Sequence, residues 1–189
     1  MLTPRFTEAL VWATQRHAAQ VRHNTGTPYV SHLLGTCAIV LEETGDEQLA
    51  IAALLHDVLE DTGTTRDELR ERFGEDVYRT VDDCTDADQG ERAGADWHER
   101  KRSHLERMAH APDGSLLVIA ADKVSSLQSL VDDLSRFGPG LFDRSAHSAR
   151  ELLDNYRDIH RVLAPRLGDR PVIRRLAALI EQCAQTVAK

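Results

Sequence analysis

The segment of residues 51–61, IAALLHDVLED, constrains the fold more than any other part of the chain. Five apolar residues lead directly into His56 and Asp57, and Glu60 and Asp61 follow. On a helix, residues four positions apart lie on one face, so the spacing predicts His56 above Glu60 and Asp57 above Asp61. A helix that is apolar all round is usually buried, and buried charges must be paired or bind a metal. The segment therefore predicts an imidazole and a carboxylate as metal ligands with two acids beside them. The alternative is a solvated helix tip.

Apolar residues recur at helical spacing along most of the chain, and cap residues mark where helices begin and end. Thr3 and Pro4 predict the start of a first helix. Further helices are expected at residues 30–43, 46–61, 65–73, 99–110, 115–134, 144–163 and 171–187. The sequence shows no strand-like alternation, no internal repeat and no glycine-rich phosphate loop. We therefore expect an all-α fold of about eight helices.

Length and composition fit one compact domain. The chain has 189 residues, 41% of them hydrophobic but only 5% aromatic, which indicates an aliphatic and helix-rich core. We expect a single domain over residues 1–189. Its motif-bearing core would span about residues 6–135, and packing helices would span about residues 141–189.

Charge and cysteine usage exclude several classes of partner. The net charge of −8 gives no general attraction for nucleic acid or an anionic membrane. No apolar run reaches the length of a membrane span, and the start of the chain lacks a signal-peptide pattern. Cys37, Cys84 and Cys183 lie far apart without a CxxC pair, which argues against a zinc knuckle or a disulfide framework. We expect a cytoplasmic protein with a small-molecule ligand.

Two further residues have the chemistry and position of metal ligands. Asp122 interrupts the apolar start of the helix at residues 115–134 much as His56 and Asp57 interrupt theirs, which predicts a fourth ligand. The alternative is an aspartate that caps a helix or pairs with Lys123. His32 lies in the first turn of the helix at residues 30–43, beside a loop, where pockets commonly open.

Charged loops and faces around these residues suggest how a substrate would be met. Arg22 and His23, in the loop before residue 30, either contact a phosphate or belong to a solvated loop. The basic run at residues 99–102 is interpreted as a solvated helix face, with an anion-steering patch as the alternative. Residues 82–97 have the weakest periodicity and many acids, which predicts a mobile loop flanking the site.

Read in order, His32, then His56 and Asp57, then Asp122 reproduce the H…HD…D pattern of the HD-domain metal-dependent phosphohydrolases. Three blocks narrow the resemblance: H-x-x-Q-x-R…G-x-P-Y-x-x-H at residues 17–32, then AALLHDVLEDT, then AADK. In this order they resemble the small, single-domain alarmone (guanosine tetraphosphate) hydrolases, including the metazoan type. The likeness covers roughly residues 6–135.

The resemblance implies that His32, His56, Asp57 and Asp122 hold one Mn²⁺. It also implies that Glu60 and Asp61 act on the attacking water, that Arg22 lies near substrate phosphates, and that the products are pyrophosphate and GDP or GTP. A ligand set of two imidazoles and two carboxylates also suits Fe²⁺, Co²⁺ or Zn²⁺, and it suits all of these better than Mg²⁺. The substrate contacts expected from the whole sequence are Arg22, His23, Lys123 and Ser126.

One departure from the family pattern bears on the substrate. Relatives usually carry asparagine four positions after the metal-binding aspartate, where this chain has Ser126. Serine cannot reproduce the paired donor and acceptor of an amide, so the pattern predicts the metal chemistry more firmly than the nucleotide. The alternatives are a nucleoside monophosphate or the 2′-phosphate of NADPH as substrate, or a non-catalytic, metal-stabilised nucleotide-sensing module. Glu60 and Asp61 argue against the last of these, because a structural metal needs no adjacent acids.

Overall fold

A computed structural model describes residues 1–22, 25–87, 96–144 and 147–187, without the side chains of residues 139, 143 and 144. The predicted substrate contact His23 and residues 88–95, half of the predicted mobile loop, therefore lie outside the described residues. In chain order the helices are α1 (Pro4–Arg16), α2 (Val30–Thr44), α3 (Glu47–Leu55), α4 (Val58–Asp61), α5 (Arg66–Phe73), α6 (Glu75–Cys84), α7 (Trp97–Met108), α8 (Asp113–Phe137), α9 (Ala149–Leu167) and α10 (Pro171–Val187), with a 3-10 helix at Pro139–Arg144. Across these ranges no strand forms, and Val21 and Pro28 make an isolated antiparallel bridge. The predicted all-α fold is confirmed.

Helices α3 and α8 form the centre of the molecule. Residues 50–55 of α3 have no solvent exposure, because α1, α2, α6 and α8 cover the helix on several sides. The long helix α8 contacts α2, α6, α9 and α10 as well. Complete burial of a leucine or isoleucine contributes about 1.5–3 kcal/mol relative to exposure, so this apolar centre carries much of the stability.

The predicted helix over residues 46–61 is not continuous, and the prediction of a single helix there is wrong. Helix α3 ends at Leu55, His56 and Asp57 form a turn, and the four-residue helix α4 follows. Asp57 has φ −100° and ψ 0°, outside the helical range. On a straight helix neighbouring side chains diverge by about 100°. The turn instead allows the adjacent His56 and Asp57 side chains to reach the same point.

The acidic segment is also more ordered at its start than the sequence predicts. Residues 82–84 belong to α6, and Thr85 and Asp86 are buried. Arg107 fixes this backbone, because its Nη2 lies 2.7 Å from the Thr85 carbonyl oxygen and 3.2 Å from that of Asp86. The expectation of a loop is therefore wrong for residues 82–84, which are helical, and for Trp97, where α7 begins; residues 88–95 lie outside the described residues.

Cap residues mark the ends of several helices, and the predicted start of the first helix at Thr3 and Pro4 is confirmed. The Thr3 side chain accepts a hydrogen bond at the start of α1, and the Thr65 side chain accepts one from Glu68 N at the start of α5. Gly45 ends α2 with φ +64°, a conformation that favours glycine. The expected helix at 144–163 begins and ends later, because the 3-10 helix occupies residues 139–144. None of the helices described is both long enough and apolar enough to cross a lipid bilayer.

Candidate metal centre and adjoining cavity

Four predicted ligands from three parts of the fold converge at one point. His32 lies in the first turn of α2, His56 and Asp57 lie in the turn after α3, and Asp122 lies in the middle of α8. The Nε2 atoms of His32 and His56 are 3.2 Å apart. Asp57 Oδ2 lies 3.5 Å from His32 Nε2 and 2.9 Å from His56 Nε2. Asp122 Oδ1 lies 3.1 Å from the first nitrogen and 3.7 Å from the second.

Hydrogen bonds on the far side of each ring fix which nitrogen faces this point. His56 Nδ1 donates to the carbonyl oxygen of Ala53 at 2.8 Å, since a carbonyl can only accept. His32 Nδ1 lies 3.1 Å from Ser125 Oγ, whose own hydroxyl donates to the His32 carbonyl at 3.5 Å. The hydroxyl therefore accepts from His32 Nδ1. Both rings thus turn Nε2 toward each other and toward the two carboxylates, an arrangement that a cation between them stabilises.

The charges around this point favour a cation. Burial by itself would raise the pKa of Asp57 and of Asp122, but neighbouring positive charge outweighs it and holds both pKa values well below the usual range. The His56 ring has the largest lowering effect on Asp57, and the Lys123 ammonium has the largest on Asp122. Burial would lower the pKa of His56, but Asp57 and Asp122 raise it well above its ordinary value. The residues present therefore fit a divalent metal ion.

The two acids after Asp57 diverge instead of sharing one face below the predicted ligands. Glu60 is buried, and its Oε1 accepts a hydrogen bond of 2.6 Å from the Asp86 backbone N–H. Asp61 turns toward α1, where its Oδ2 accepts a hydrogen bond of 2.8 Å from Gln20 Nε2. The break after α3 rotates α4 relative to α3, so the four-residue stacking predicted for a straight helix is wrong. Only Glu60 of the pair lines the cavity described next.

A cavity of about 180 Å³ opens beside the four converging side chains. Its wall includes five residues predicted from the sequence: Asp57, Glu60, Asp122, Lys123 and Ser126. Lys123 Nζ donates to Asp122 Oδ2 at 2.5 Å, and Ser126 Oγ donates to Asp122 Oδ1 at 3.3 Å. Both side chains therefore contact a candidate metal ligand and the cavity at once.

Arg22 does not line this cavity. Its positive charge acts on Asp133 of α8 and Tyr156 of α9. Burial raises the pKa of Asp133 and raises that of Tyr156 to about 12, and Arg22 opposes both shifts. The predicted phosphate contact Arg22 therefore lies in a neighbouring region of the molecule, away from the cavity wall.

Five cavity residues have no site role in the sequence analysis, and Lys101 comes from the basic run at residues 99–102; the five are Tyr29, Cys84, Asp86, His104 and Ile159. Tyr29 donates to Asp57 Oδ2 at 2.6 Å, and burial together with the nearby carboxylates raises its pKa well above the ordinary value. Asp86 accepts from Lys101 Nζ at 2.5 Å.

The basic run at residues 99–102 on α7 fits the anion-steering interpretation at some positions and the solvated-face interpretation at others. Lys101 borders the cavity, and Arg100 joins it on Asp86 at 3.2 Å, whereas Arg102 is exposed and pairs weakly with Glu99. Residues 101, 104 and 108 follow helical spacing, which predicts that they share one face of α7. In the structure His104 and Met108 on this face are buried, so the spacing was a sequence signal that Lys101 faces inward.

An all-helical fold with a buried His and Asp cluster able to hold a metal ion defines the class of this protein. A match to the family model described as HD domain covers residues 9–169. The chain belongs to the HD-domain family.

Relatives with known names cover most of the chain. The guanosine-3′,5′-bis(diphosphate) 3′-pyrophosphohydrolase MESH1 of Homo sapiens is 39% identical over 126 residues, which are 65% of this chain and 68% of the relative. The MESH1 protein of Drosophila melanogaster is 32% identical over 169 residues, 87% of this chain and 92% of the relative. A solved structure described as a metazoan ortholog of SpoT that hydrolyzes ppGpp superimposes with a TM-score of 0.79 at 27% identity, covering 96% of this chain and 97% of that one.

Proposed function

We propose that this protein is a metal-dependent phosphohydrolase that removes the 3′-pyrophosphate of guanosine 3′,5′-bis(diphosphate) and of the corresponding pentaphosphate, giving GDP or GTP and pyrophosphate. One observation carries the proposal: Asp57 and Asp122, which meet His32 and His56 at the candidate metal centre, border a cavity whose wall also holds Lys101 and Lys123. That combination suits a phosphoryl group, because cations and a metal offset its negative charge. The similarity to named pyrophosphohydrolases supports the guanosine substrate.

In this proposal His32, His56, Asp57 and Asp122 hold one Mn²⁺, with Fe²⁺, Co²⁺ or Zn²⁺ as alternatives for the same ligands. When bound, such an ion supplies a Lewis acid that makes water more acidic and offsets charge on the phosphoryl oxygens. Lys123 donates to Asp122 Oδ2 and so leaves Oδ1 beside the imidazoles, whereas Tyr29 donates to Asp57 Oδ2, the oxygen that itself faces them.

The remaining chemistry is assigned to side chains of the chain. Glu60, held by the Asp86 N–H, orients the attacking water and removes its proton. The family resemblance assigns Asp61 to the same water, but its hydrogen bond to Gln20 holds it outside the cavity wall, so the proton transfer is assigned to Glu60 alone. The water oxygen attacks the phosphorus next to the ribose, the bond from that phosphorus to the 3′-oxygen breaks, and the 3′-oxygen takes up a proton as GDP or GTP leaves and pyrophosphate is released. Lys123 and Ser126 bind the substrate on the cavity side, and Arg22 and His23 contact its outer phosphates.

The test is release of pyrophosphate from guanosine 3′,5′-bis(diphosphate) in the presence of Mn²⁺. The same assay runs with NADPH and a panel of nucleoside monophosphates, and Asp57→Ala is the control for the metal site. Rapid release that Asp57→Ala abolishes is the expected result. No release from the alarmone by a protein that binds Mn²⁺ would contradict the proposed substrate.

A second candidate keeps the site but changes the substrate to a nucleoside monophosphate or the 2′-phosphate of NADPH. Ser126 favours it, because its hydroxyl is directed to Asp122 Oδ1 in a position where relatives usually carry an asparagine. Phosphate release from one of these nucleotides that depends on Asp57 would select this candidate over the first.

We extend the proposal to the setting of the enzyme: a single domain over residues 1–189 that acts in the cytoplasm on a small nucleotide without nucleic-acid or membrane partners. The three cysteines are all free, and Cys37 and Cys183 are buried, which agrees with a reducing compartment. The net charge of −8 agrees with the absence of a nucleic-acid partner.

A further inference from the structure

His104 has no part in the mechanism above, yet it borders the cavity that the mechanism uses. It lies on α7, one turn after Lys101, and only 4% of its surface is exposed. The same cavity is bordered by Asp57 and Asp122 from the candidate metal centre. A buried imidazole at such a position requires a partner or a ligand for each ring nitrogen.

The contact with Arg107 favours the tautomer of His104 that carries its proton on Nε2. Its Nη2 lies 3.4 Å from His104 Nδ1 and also donates to the carbonyl oxygens of Thr85 and Asp86. A guanidinium can only donate, so His104 Nδ1 must accept and the proton of the neutral ring resides on Nε2. Burial, reinforced by Lys123, Lys101 and Arg107, lowers the pKa of His104 to about 3, so the ring is neutral at ordinary pH.

The Nε2–H donor of His104 has no acceptor among the residues that the structure describes. In the described ranges three side-chain atoms are fully enclosed and have no partner: His17 Nε2, Thr36 Oγ1 and Arg100 Nε. His104 Nε2 is not among these enclosed atoms. The nitrogen therefore borders open space, and the space adjoining this residue is the cavity.

The cavity wall holds two ammonium groups and four carboxylates, so it accepts an anion as the missing acceptor once a divalent ion at the candidate metal centre offsets the acids. The ammonium groups of Lys101 and Lys123 border the same space as His104. Each is oriented by an aspartate at 2.5 Å, Asp86 for Lys101 and Asp122 for Lys123. A phosphoryl oxygen is an acceptor without a proton to donate, so it matches one N–H and two ammonium groups better than a hydroxyl or an amide does.

We propose that His104 is a substrate-binding residue that donates its Nε2–H to a phosphoryl oxygen of the pyrophosphate group to be released. The role of His104 in the reaction rests on the proposed function. As a statement about binding it predicts affinity for inorganic pyrophosphate, which can be measured whatever nucleotide the enzyme cleaves.

The test is calorimetric titration of inorganic pyrophosphate into the Mn²⁺-loaded protein. His104→Leu removes the donor, whereas His104→Gln carries an amide N–H at nearly the same distance from the backbone. We expect His104→Leu to weaken pyrophosphate binding about tenfold or more, as for loss of a hydrogen bond to a charged group, and His104→Gln to stay within about threefold of wild type. His110→Leu is the matched control, because His110 is exposed beyond the end of α7.

Unchanged binding in a folded His104→Leu protein overturns the proposal, as does equal weakening in the glutamine variant with its melting temperature retained. A measurement without any substitution covers the case in which His104→Leu does not fold. In the Zn²⁺-loaded wild-type protein, the imidazole ¹H–¹⁵N spectrum should show His104 protonated at Nε2, and saturation with pyrophosphate should shift that signal. An Nδ1–H ring, or an Nε2–H signal that pyrophosphate leaves unmoved, overturns the proposal.

Kinetics separate this inference from the proposed function. If the alarmone is the substrate, His104→Leu should raise KM several-fold more than it lowers kcat. If the alarmone is not cleaved but His104-dependent pyrophosphate binding persists, the proposed substrate fails and the assignment of His104 stands.

Discussion

At the scale of single residues, His104 ties the cavity to the acid stability of the protein. Its pKa is lowered to about 3 by burial, whereas a histidine in an unfolded chain titrates near 6.5. Between these values the unfolded chain binds a proton that the folded ring does not. The free energy of unfolding therefore falls as pH decreases through this window, by about 2–3 kcal/mol between pH 7 and 4.5 for this residue.

His104→Gln removes the titration and should flatten this part of the pH dependence. Urea unfolding at pH 7.5 and pH 4.5 measures the change, and the difference between wild type and variant cancels the contribution of other groups. The exposed His110→Gln is the control and should lose as much stability on acidification as wild type does. A His104→Gln protein with the full wild-type loss would contradict the lowered pKa.

The predicted ligands were identifiable from the sequence because their order and residue types carry the signal. The residues that orient them were not. Ser125 holds the His32 ring from 93 positions away in the chain, and Tyr29 holds Asp57 from 28 positions away. Serine and tyrosine are common residues, and only the packing of α2 against α8 gives the serine its partner. No local pattern marks such contacts.

At the scale of helices, the approach of α2 to α8 is set at Gly35. A Cβ atom at this position would lie 2.9 Å from Ser125 Oγ, the atom that accepts from His32 Nδ1. Glycine inside a helix costs about 1 kcal/mol relative to alanine, so its presence in α2 needs a reason of this kind. The close contact allows one helix to orient a metal ligand of the other.

Gly35→Ala should therefore separate stability from metal binding. The added methyl group displaces the Ser125 hydroxyl, and loss of a hydrogen bond that orients a metal ligand lowers affinity by about 10–100-fold. The unfolding free energy should change little, because the gain in helix propensity offsets the shift of one small side chain. Mn²⁺ titration by calorimetry measures the first effect and urea unfolding the second.

Ser125→Ala is the partner variant for this comparison and should lose a similar factor in Mn²⁺ affinity. Ser129→Ala is the control, since that hydroxyl, one turn further along α8, bonds only the Ser125 carbonyl at 3.1 Å. If Gly35→Ala binds Mn²⁺ as tightly as wild type while Ser125→Ala binds it weakly, the prediction for Gly35 is wrong. In that case α2 and α8 adjust to the added methyl group without disturbing the His32 ring.

Helix positions were predictable from apolar spacing and caps, but the break after α3 was not. The residues around His56 and Asp57 read as one helix, because nothing in their helix propensities opposes it. The four converging groups of the metal centre require the turn instead, so a tertiary demand overrides the local pattern. The same demand moves Glu60 and Asp61 to different partners.

At the scale of the whole molecule, the candidate metal centre joins distant parts of the core. Its ligands come from α2, from the turn after α3 and from α8, and α8 packs against α10, which carries none of the four. Lys101 and Lys123 supply local positive charge at the cavity of a chain whose net charge is −8. Because Asp57, Glu60, Asp86 and Asp122 line the same cavity, the site attracts an anionic substrate only when a divalent ion offsets these carboxylates.

Removal of the metal should destabilise the entire fold as a unit. Binding to the folded state alone contributes about 2.7 kcal/mol at a free ion concentration one hundred times Kd, which for a chain of this length is a shift in Tm of roughly 5–10 °C. We expect the chelated protein to melt lower by this amount and Mn²⁺ to restore the original Tm. Asp57→Ala should show no response to either addition.

Hydrogen exchange shows whether the effect reaches beyond the ligands. If residues 1–189 form a single cooperative domain, Mn²⁺ should slow exchange of the slowest amides in α10 by the same factor as in α2 and α8, because all of them exchange only through global unfolding. Protection confined to α2 and α8, with α10 unchanged, would mean that the C-terminal helix unfolds independently and that the single-domain prediction is wrong.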